Sequence, residues 1–475
     1  MSFFQLPSRH PTSYRLINLL LISSCFSIIY LFVSISIVRP SSVERAPLFD
    51  LSPPTTLDHV VFGISSSAQS WPMRKEYVRL WWKPERMRGC VFVERMPTGA
   101  DKYNRTDHTT LPPICISQDT SRFRYTHGSG LKSAIRVARS VSETVALNQT
   151  GVRWFVFGDD DTLFFPENLV QTLSKYDHNL WYYIGTYSES AKQNSVFSFQ
   201  MAYWGGGFAL SYPLAKVLAK VLDSCLERYP HLYGDDARIF SCLTELGVGL
   251  TYEPGFHQVD LKGDAFGLLA AHPLKPLVSL HRLEDIEPVF PKMARKQALE
   301  HLLEAVKLDP GRILQQTICY DRWFQWTVSV SWGYAVQVFE AHILLPDVLP
   351  VQRTFEPWNK RDTSLPPLHM FDTRELPEDP CRRPIIFFLE SVSSDHRERI
   401  KSTYRSTISE KCLESKDTSK KLKQIIVFSK KLNLDIRQLR APRRHCCDIL
   451  TSSASEVLEI GIRECREEEM IFMHV

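Results

Sequence analysis

Several signatures are missing from this chain of 475 residues, and each absence removes a class of chemistry. There is no Cys-x-x-Cys pair, so a structural zinc site is not supported. There is no His-Glu-x-x-His and no Gly-x-Ser-x-Gly, which leaves a metal-dependent or serine hydrolase without its machinery. No P-loop is present, and that removes the common ATPase. An excess of one charge is missing too. Basic side chains number 57 and acidic ones 53, a net charge of +4 that is small for this size and points to no nucleic-acid partner. No internal repeat is found. The apolar content is ordinary for a globular protein, and the length suits two or three domains.

One uncharged run is present. Leu16 to Val38 carries no charged side chain. As a helix it would extend about 34 Å, enough to cross a bilayer. It exceeds a typical signal-peptide core, and no small-x-small cleavage site follows it. Arg9 and Arg15 before it favour a cytoplasmic N-terminus, although Arg39 and Arg45 follow. The expectation is a membrane-anchored chain: a tail over 1–15, a transmembrane signal anchor over 16–38, and a Pro- and Ser-rich stem over 39–57. The rest would be lumenal. Two sequons, Asn104-Arg105-Thr106 and Asn148-Gln149-Thr150, agree with that, as do ten of eleven cysteines lying beyond the run. Their pairing is not deducible, but adjacent Cys446 and Cys447 are expected to bond outward to two different partners.

The most informative stretch is Trp154-Phe155-Val156-Phe157-Gly158-Asp159-Asp160-Asp161. It reads as a buried strand ending in three carboxylates. Such a strand end faces the crevice where open α/β sheets bind ligands. Three adjacent negative charges need a counter-charge, and hard oxygen ligands select Mg²⁺, Mn²⁺ or Ca²⁺. Strand alternation would aim Asp159 and Asp161 one way and Asp160 the other. The expected clamp is therefore Asp159 with Asp161; a solvated acidic turn is the simpler alternative.

Around it, strands are expected at 59–62, 90–93 and 180–184. Helices are expected over 71–82, 130–146 (Leu131, Ala134, Ile135, Ala138, Val141 and Val145 in phase) and 166–173. That alternation argues a mostly parallel, doubly wound sheet. Trp204-Gly205-Gly206-Gly207-Phe208 sets three glycines between aromatics, where backbone approaches a ligand closely. Asp235-Asp236 precedes a helical segment, where an N-cap is the common role of Asp. Beyond Pro288 come a helix over 293–308, strands at 317–320, 326–339 and 384–390, and a basic, polar stretch over 391–435.

The order of these motifs resembles the Fringe group of glycosyltransferases, in the β-1,3-glycosyltransferase superfamily of GT-A fold. Gly151 to Phe155 followed by Asp159-Asp160-Asp161 looks like the Fringe metal-binding strand. Gly205 to Phe208 looks like its Gly-Gly-x-Gly-Phe loop, and Asp235-Asp236 like its paired acids before a helix. Gly247-Val248-Gly249-Leu250 and Phe256-His257 resemble the segment after that helix. The resemblance covers roughly 58–290, and the whole chain looks most like a plant Fringe-related branch with an extra C-terminal region. It implies a catalytic domain over 58–290 with a Rossmann-like GT-A sheet, and a smaller β-rich lobe over 291–475.

Its implied activity is inverting transfer from a UDP-sugar to a glycan, protein or small-molecule acceptor, with a β-1,3 linkage. Mn²⁺, or Mg²⁺, would be held by Asp159 and Asp161, with Asp161 the most direct ligand. His281 looks like the completing histidine, and His257 is its rival. Asp236, with Asp235 second, would be the base for the acceptor hydroxyl. Asp160, Gly63, Ser65, Glu94, Trp204, Gly205, Gly206, Gly207, Phe208 and His257 would contact donor or acceptor. The Ser65-Ser66-Ser67 run departs from the Thr-containing Fringe pattern and leaves those donor contacts open. A Golgi membrane enzyme of type II topology is expected. The alternative from another class is a non-catalytic lumenal binding relative that kept the fold.

Overall fold

The structure is a computed structural model. It describes residues 11–37, 53–97, 105–321, 323–358, 368–396, 398–407, 421–452 and 454–470. By its contacts the chain divides into an N-terminal segment, Met1–Pro54, and a compact unit, Thr55–Val475. In the first, the apolar run forms α1 (Pro11–Ile37). Side chains are described there for residues 18–31, and Leu19, Phe26 and Tyr30 are exposed. Among the described residues no helix is long and apolar enough to cross a membrane, so the transmembrane helix expected over 16–38 is not shown.

The compact unit begins with β1 (Val60–Ser65), α2 (Trp71–Trp81), β2 (Arg88–Val93), α3 (Arg105–Thr110), β3 (Ile114–Ile116), α4 (Ser133–Ala146) and β4 (Trp154–Asp159). It continues with β5 (Leu163–Phe164), α5 (Pro166–Leu173), β6 (Tyr183–Gly185), α6 (Ala191–Val196), β7 (Phe208–Ser211), α7 (Tyr212–Arg228), α8 (Asp235–Glu245) and β8 (Leu250–Tyr252). Seven strands form one sheet in the order β3-β2-β1-β4-β7-β6-β8. All run parallel except β7, which is antiparallel to both β4 and β6. The mixed α/β sheet is covered on both faces, and β1 is accordingly buried along its whole length. On one face Phe62 meets Trp81, Trp82 and Phe164, with centroids 5.4–5.9 Å away. On the other, α4 lays Ile135, Ala138 and Val141 against the strands. Leu131 is the exception to its expected phase. It lies before the helix and is exposed.

The chain goes on through β9 (Leu261–Gly263), α9 (Phe266–Ala270), β10 (Ser279–Leu280), α10 (Arg295–Leu308), β11 (Gln316–Tyr320), β12 (Thr327–Ser331), β13 (Ala335–Phe339), α11 (Leu345–Val348), β14 (Val351–Gln352), β15 (Phe355–Pro357) and β16 (Thr373–Arg374). It ends with β17 (Ile385–Ser394), β18 (Arg399–Ser406), β19 (Gln424–Lys430), α12 (Ile436–Arg440), β20 (Cys446–Leu450) and β21 (Val457–Arg463). Eight of these strands make a second sheet, ordered β11-β12-β13-β17-β18-β19-β21-β20. The stretch expected as one strand over 326–339 is a hairpin, turned at Gly333 in the left-handed region at φ 77°. One continuous apolar core runs from Phe62 and Phe164 through Leu302 to Val336, Phe387 and Tyr404, so both sheets share it.

Disulfides link Cys90–Cys115, Cys225–Cys242, Cys319–Cys447 and Cys446–Cys465, and Cys381 is also disulfide-bonded. Cys446 and Cys447 thus bond to two different partners, as expected. Asn148 is exposed at the end of α4, while Asn104 lies outside the described residues.

Candidate active site and metal centre

β4 ends at Asp159, and the next residues turn. Thr162 closes that turn, taking a hydrogen bond from Asp159 N–H at 2.8 Å and donating its own to Gly205 O at 2.7 Å. Strand alternation therefore does not aim these acids; the turn does. Asp160 points to the start of α2, accepting from Ser66 Oγ (2.6 Å), Ser70 Oγ (2.7 Å) and Arg74 (3.2 Å). Asp161 points toward Arg74 and His281. It lies 3.2 Å from Arg74 through one oxygen and 3.2 Å from His281 Nε2 through the other. His281 Nε2 is also 3.9 Å from Asp159.

Asp159, Asp161 and His281 together are a group able to hold a metal ion, each offering one ligand atom, all within 4.8 Å of one another. Their chemistry fits a divalent cation. His281 Nδ1 lies 3.3 Å from Gln258 O, which leaves Nε2 as the nitrogen facing the aspartates. Asp161 Oδ1, buried, has no hydrogen-bond donor. A cation shared by Asp161 Oδ1 and His281 Nε2, 3.2 Å apart, satisfies both, whether a proton on the imidazole or a metal ion in its place. Burial alone would raise Asp161, but His281 and Arg74 hold its carboxyl down to about 2. Asp159 has no such relief. Burial, then Asp161 and Asp235, push it well above the usual carboxylate range. Gly205 is the floor under His281, since a Cβ there would overlap the imidazole.

The paired acids stand in the first turn of α8, behind Gly234 as N-cap, so neither Asp235 nor Asp236 caps the helix. Asp236 Oδ1 accepts the backbone N–H of Trp204, which fixes that carboxylate against the glycine loop. Burial raises Asp235 to about 6. Burial and the neighbouring Asp235 raise Asp236 well above its ordinary value. Both acids share a cleft of about 460 Å³ with Asp159, His281 and Gly205.

The structure separates other expected contacts from this cleft. His257 is buried elsewhere, bonded to Glu189 at 3.0 Å and to His272 at 2.9 Å, and is not near the aspartates as a ligand. Phe208 is core, packed on Phe157 and Tyr183. Trp204 borders the cleft, but its ring also packs on Phe157 and Phe208. Gly63 lies inside β1, where a Cβ would overlap Thr144 and Phe157, so it serves packing rather than ligand contact. Gly206 donates its N–H to Gln258 at 2.7 Å, and Gly207 takes φ 81° in the turn. Ser65 pairs in register with Asp159, and exposed Glu94 accepts from Ala68 N–H at 3.2 Å. Sequence reasoning missed Arg74, Gln258, Asp260, Arg282 and Trp358. Arg74 had a signal: it follows Ser70 by one helical turn on α2, beside three acids in need of a cation.

Residues 193–447, more than half of the chain, match the family model described as "Protein of unknown function, DUF604". The chain belongs to that family. Residues 108–264 match a second model, described as Fringe-like. The Fringe-like resemblance read from the motifs is borne out over those residues. No curated protein matches it. Among solved structures, the galactosyltransferase LgtC with donor and acceptor sugar analogs is 14% identical, over 41% of this chain and 73% of that one, at a TM-score of 0.29. An active-site mutant of LgtC is 11% identical over 49% and 90%, at 0.31. Mouse xyloside xylosyltransferase 1 is 10% identical over 41% and 84%, at 0.25. Likeness at these scores says nothing of this chain's activity.

Proposed function

We propose that this chain is an inverting, divalent-metal-dependent glycosyltransferase that moves a sugar from a UDP-sugar to an acceptor hydroxyl, with a β-1,3 linkage. The observation that carries the reading is the group of Asp159, Asp161 and His281, of which Asp159 and His281 line one cleft with the raised carboxyl of Asp236. Asp159, Asp161 and His281 would hold Mn²⁺ or Mg²⁺, which supplies Lewis-acid neutralisation of a departing diphosphate. Asp236 takes the proton of the acceptor hydroxyl as attack proceeds. Its raised affinity for protons suits a base, and the Trp204 N–H fixes one oxygen so that the other is presented. Asp160, tied to α2, holds the turn rather than the ion. Ser65 and Glu94, at the ends of β1 and β2, border the donor side.

A lumenal place in the Golgi belongs to the same proposal. The disulfides and the exposed Asn148 sequon support it. The test is UDP release from a panel of UDP-sugars by the full chain, with Mn²⁺ or with chelator. Mn²⁺-dependent release from one donor is the expected result. Silence on every donor together with no binding of UDP and Mn²⁺ would overturn the reading in favour of a non-catalytic relative.

A further inference from the structure

β15 lies well beyond the Fringe-like segment, yet it pairs antiparallel with β9, Phe355 opposite Gly263 and Pro357 opposite Leu261. A second contact secures the same region: Ala191 N–H donates to Leu368 O at 3.1 Å, and Met370 N–H to Glu189 O at 3.0 Å. The register of β15 brings the next residue, Trp358, opposite Asp260. Trp358 lines the cleft that holds Asp236 and His281. Arg282 Cζ lies 4.0 Å and Lys262 Nζ 4.6 Å from its ring centroid, cation–π contacts that fix the indole at the cleft wall.

Arg282 directly follows the candidate metal ligand His281 and takes a left-handed φ of 53°. Its Nε pairs with Asp260 at 3.5 Å. Fixed by Asp260, the partly exposed guanidinium offers hydrogen-bond donors at the cleft wall. Across the cleft stand Tyr203 and Tyr233. Aromatic rims over carboxylates suit a molecule with apolar ring faces and hydroxyl edges. The carboxylates of Asp159, Asp235, Asp236 and Asp260 in the same cavity disfavour an anionic ring.

We propose that Trp358 and Arg282 form the acceptor subsite, taking a neutral sugar ring, so that the C-terminal region selects the acceptor. This rests on the transferase reading of the cleft. The match over residues 193–447 runs through both parts, in keeping with their forming one site.

The experiment is saturation-transfer NMR on the full chain with a panel of neutral methyl glycosides, with UDP and Mn²⁺ present, beside calorimetry of UDP–Mn²⁺ binding. The wild type is expected to bind at least one glycoside. Trp358→Ala should weaken it about tenfold, the worth of one stacked ring, and Trp358→Phe should recover most of that. UDP affinity and thermal stability should hold. Equal glycoside binding by Trp358→Ala overturns the proposal, and so does a parallel loss of UDP affinity, which would make Trp358 a structural support. Binding of UDP but of no glycoside removes the sugar class. Trp358-dependent glycoside binding without UDP binding keeps the subsite and removes the transferase reading instead.

Discussion

Asp161 and Asp236 both belong to the candidate site, but their surroundings ask different things of them. Asp161 is held ionised by Arg74 and His281, as a metal ligand must be, while Asp236 is pushed toward the protonated form by burial and Asp235. Asp161→Asn keeps the shape and the contact to Arg74. It should cut Mn²⁺-dependent UDP binding by more than about 100-fold, the upper end for losing even an outer partner of a ligand. Calorimetry showing full affinity would return the triad to an acidic turn. Asp236→Asn can still accept the Trp204 N–H, so donor binding should stay while transfer falls about 10²- to 10⁴-fold. Near-normal turnover would show that the proton leaves by another route. The acids were legible because three carboxylates at the end of an apolar strand have few structural uses. Arg74, Arg282 and Trp358 were not. Each acquires its role only when an element distant in sequence is folded against the cleft.

At the scale of elements, α5 was readable to its ends and β4 nearly so, since Pro166 opens one and the aspartates close the other. β18 and β19 were hidden in a stretch that reads as basic and polar. β19 buries alternate residues, Ile425, Val427 and Ser429, and β18 buries Ile400 and Ser402 to Tyr404 while leaving its Lys and Arg outside. The glycine loop is the element on which the site turns. Gly205 has an ordinary backbone conformation, so Gly205→Ala should fold; its only offence is steric, against the His281 ring. It should therefore lower Mn²⁺-dependent UDP binding as Asp161→Asn does. Thermal unfolding separates the cases: a variant that melts like the wild type but loses the ion supports the loop as a cradle. Unchanged metal affinity would show that His281 moves freely and is not held by the loop.

At the scale of the whole molecule, two sheets with one core behave as one unit, and buried histidines report on its integrity. His272 and His445 are both held neutral. Burial, with His257 beside it, puts His272 well below the ordinary imidazole range; burial and Arg312 bring His445 to about 4. In the unfolded chain each would protonate near pH 6.5. Between that value and the folded one the unfolded state binds more protons, so stability falls as pH falls. Carboxyls raised in the fold, such as Asp159 and Asp236, act with the opposite sign over part of the same range. A wild-type curve alone thus mixes the two, and the difference between wild type and a histidine variant isolates one. His445→Gln should lose less melting temperature than the wild type on going from pH 6.5 to 4, with the two curves running parallel above pH 7. Calorimetry at constant ionic strength reads this directly. Parallel curves through the acid range would mean that His445 titrates alike in both states, and that the contact of this lobe with Arg312 opens well before the rest of the molecule unfolds.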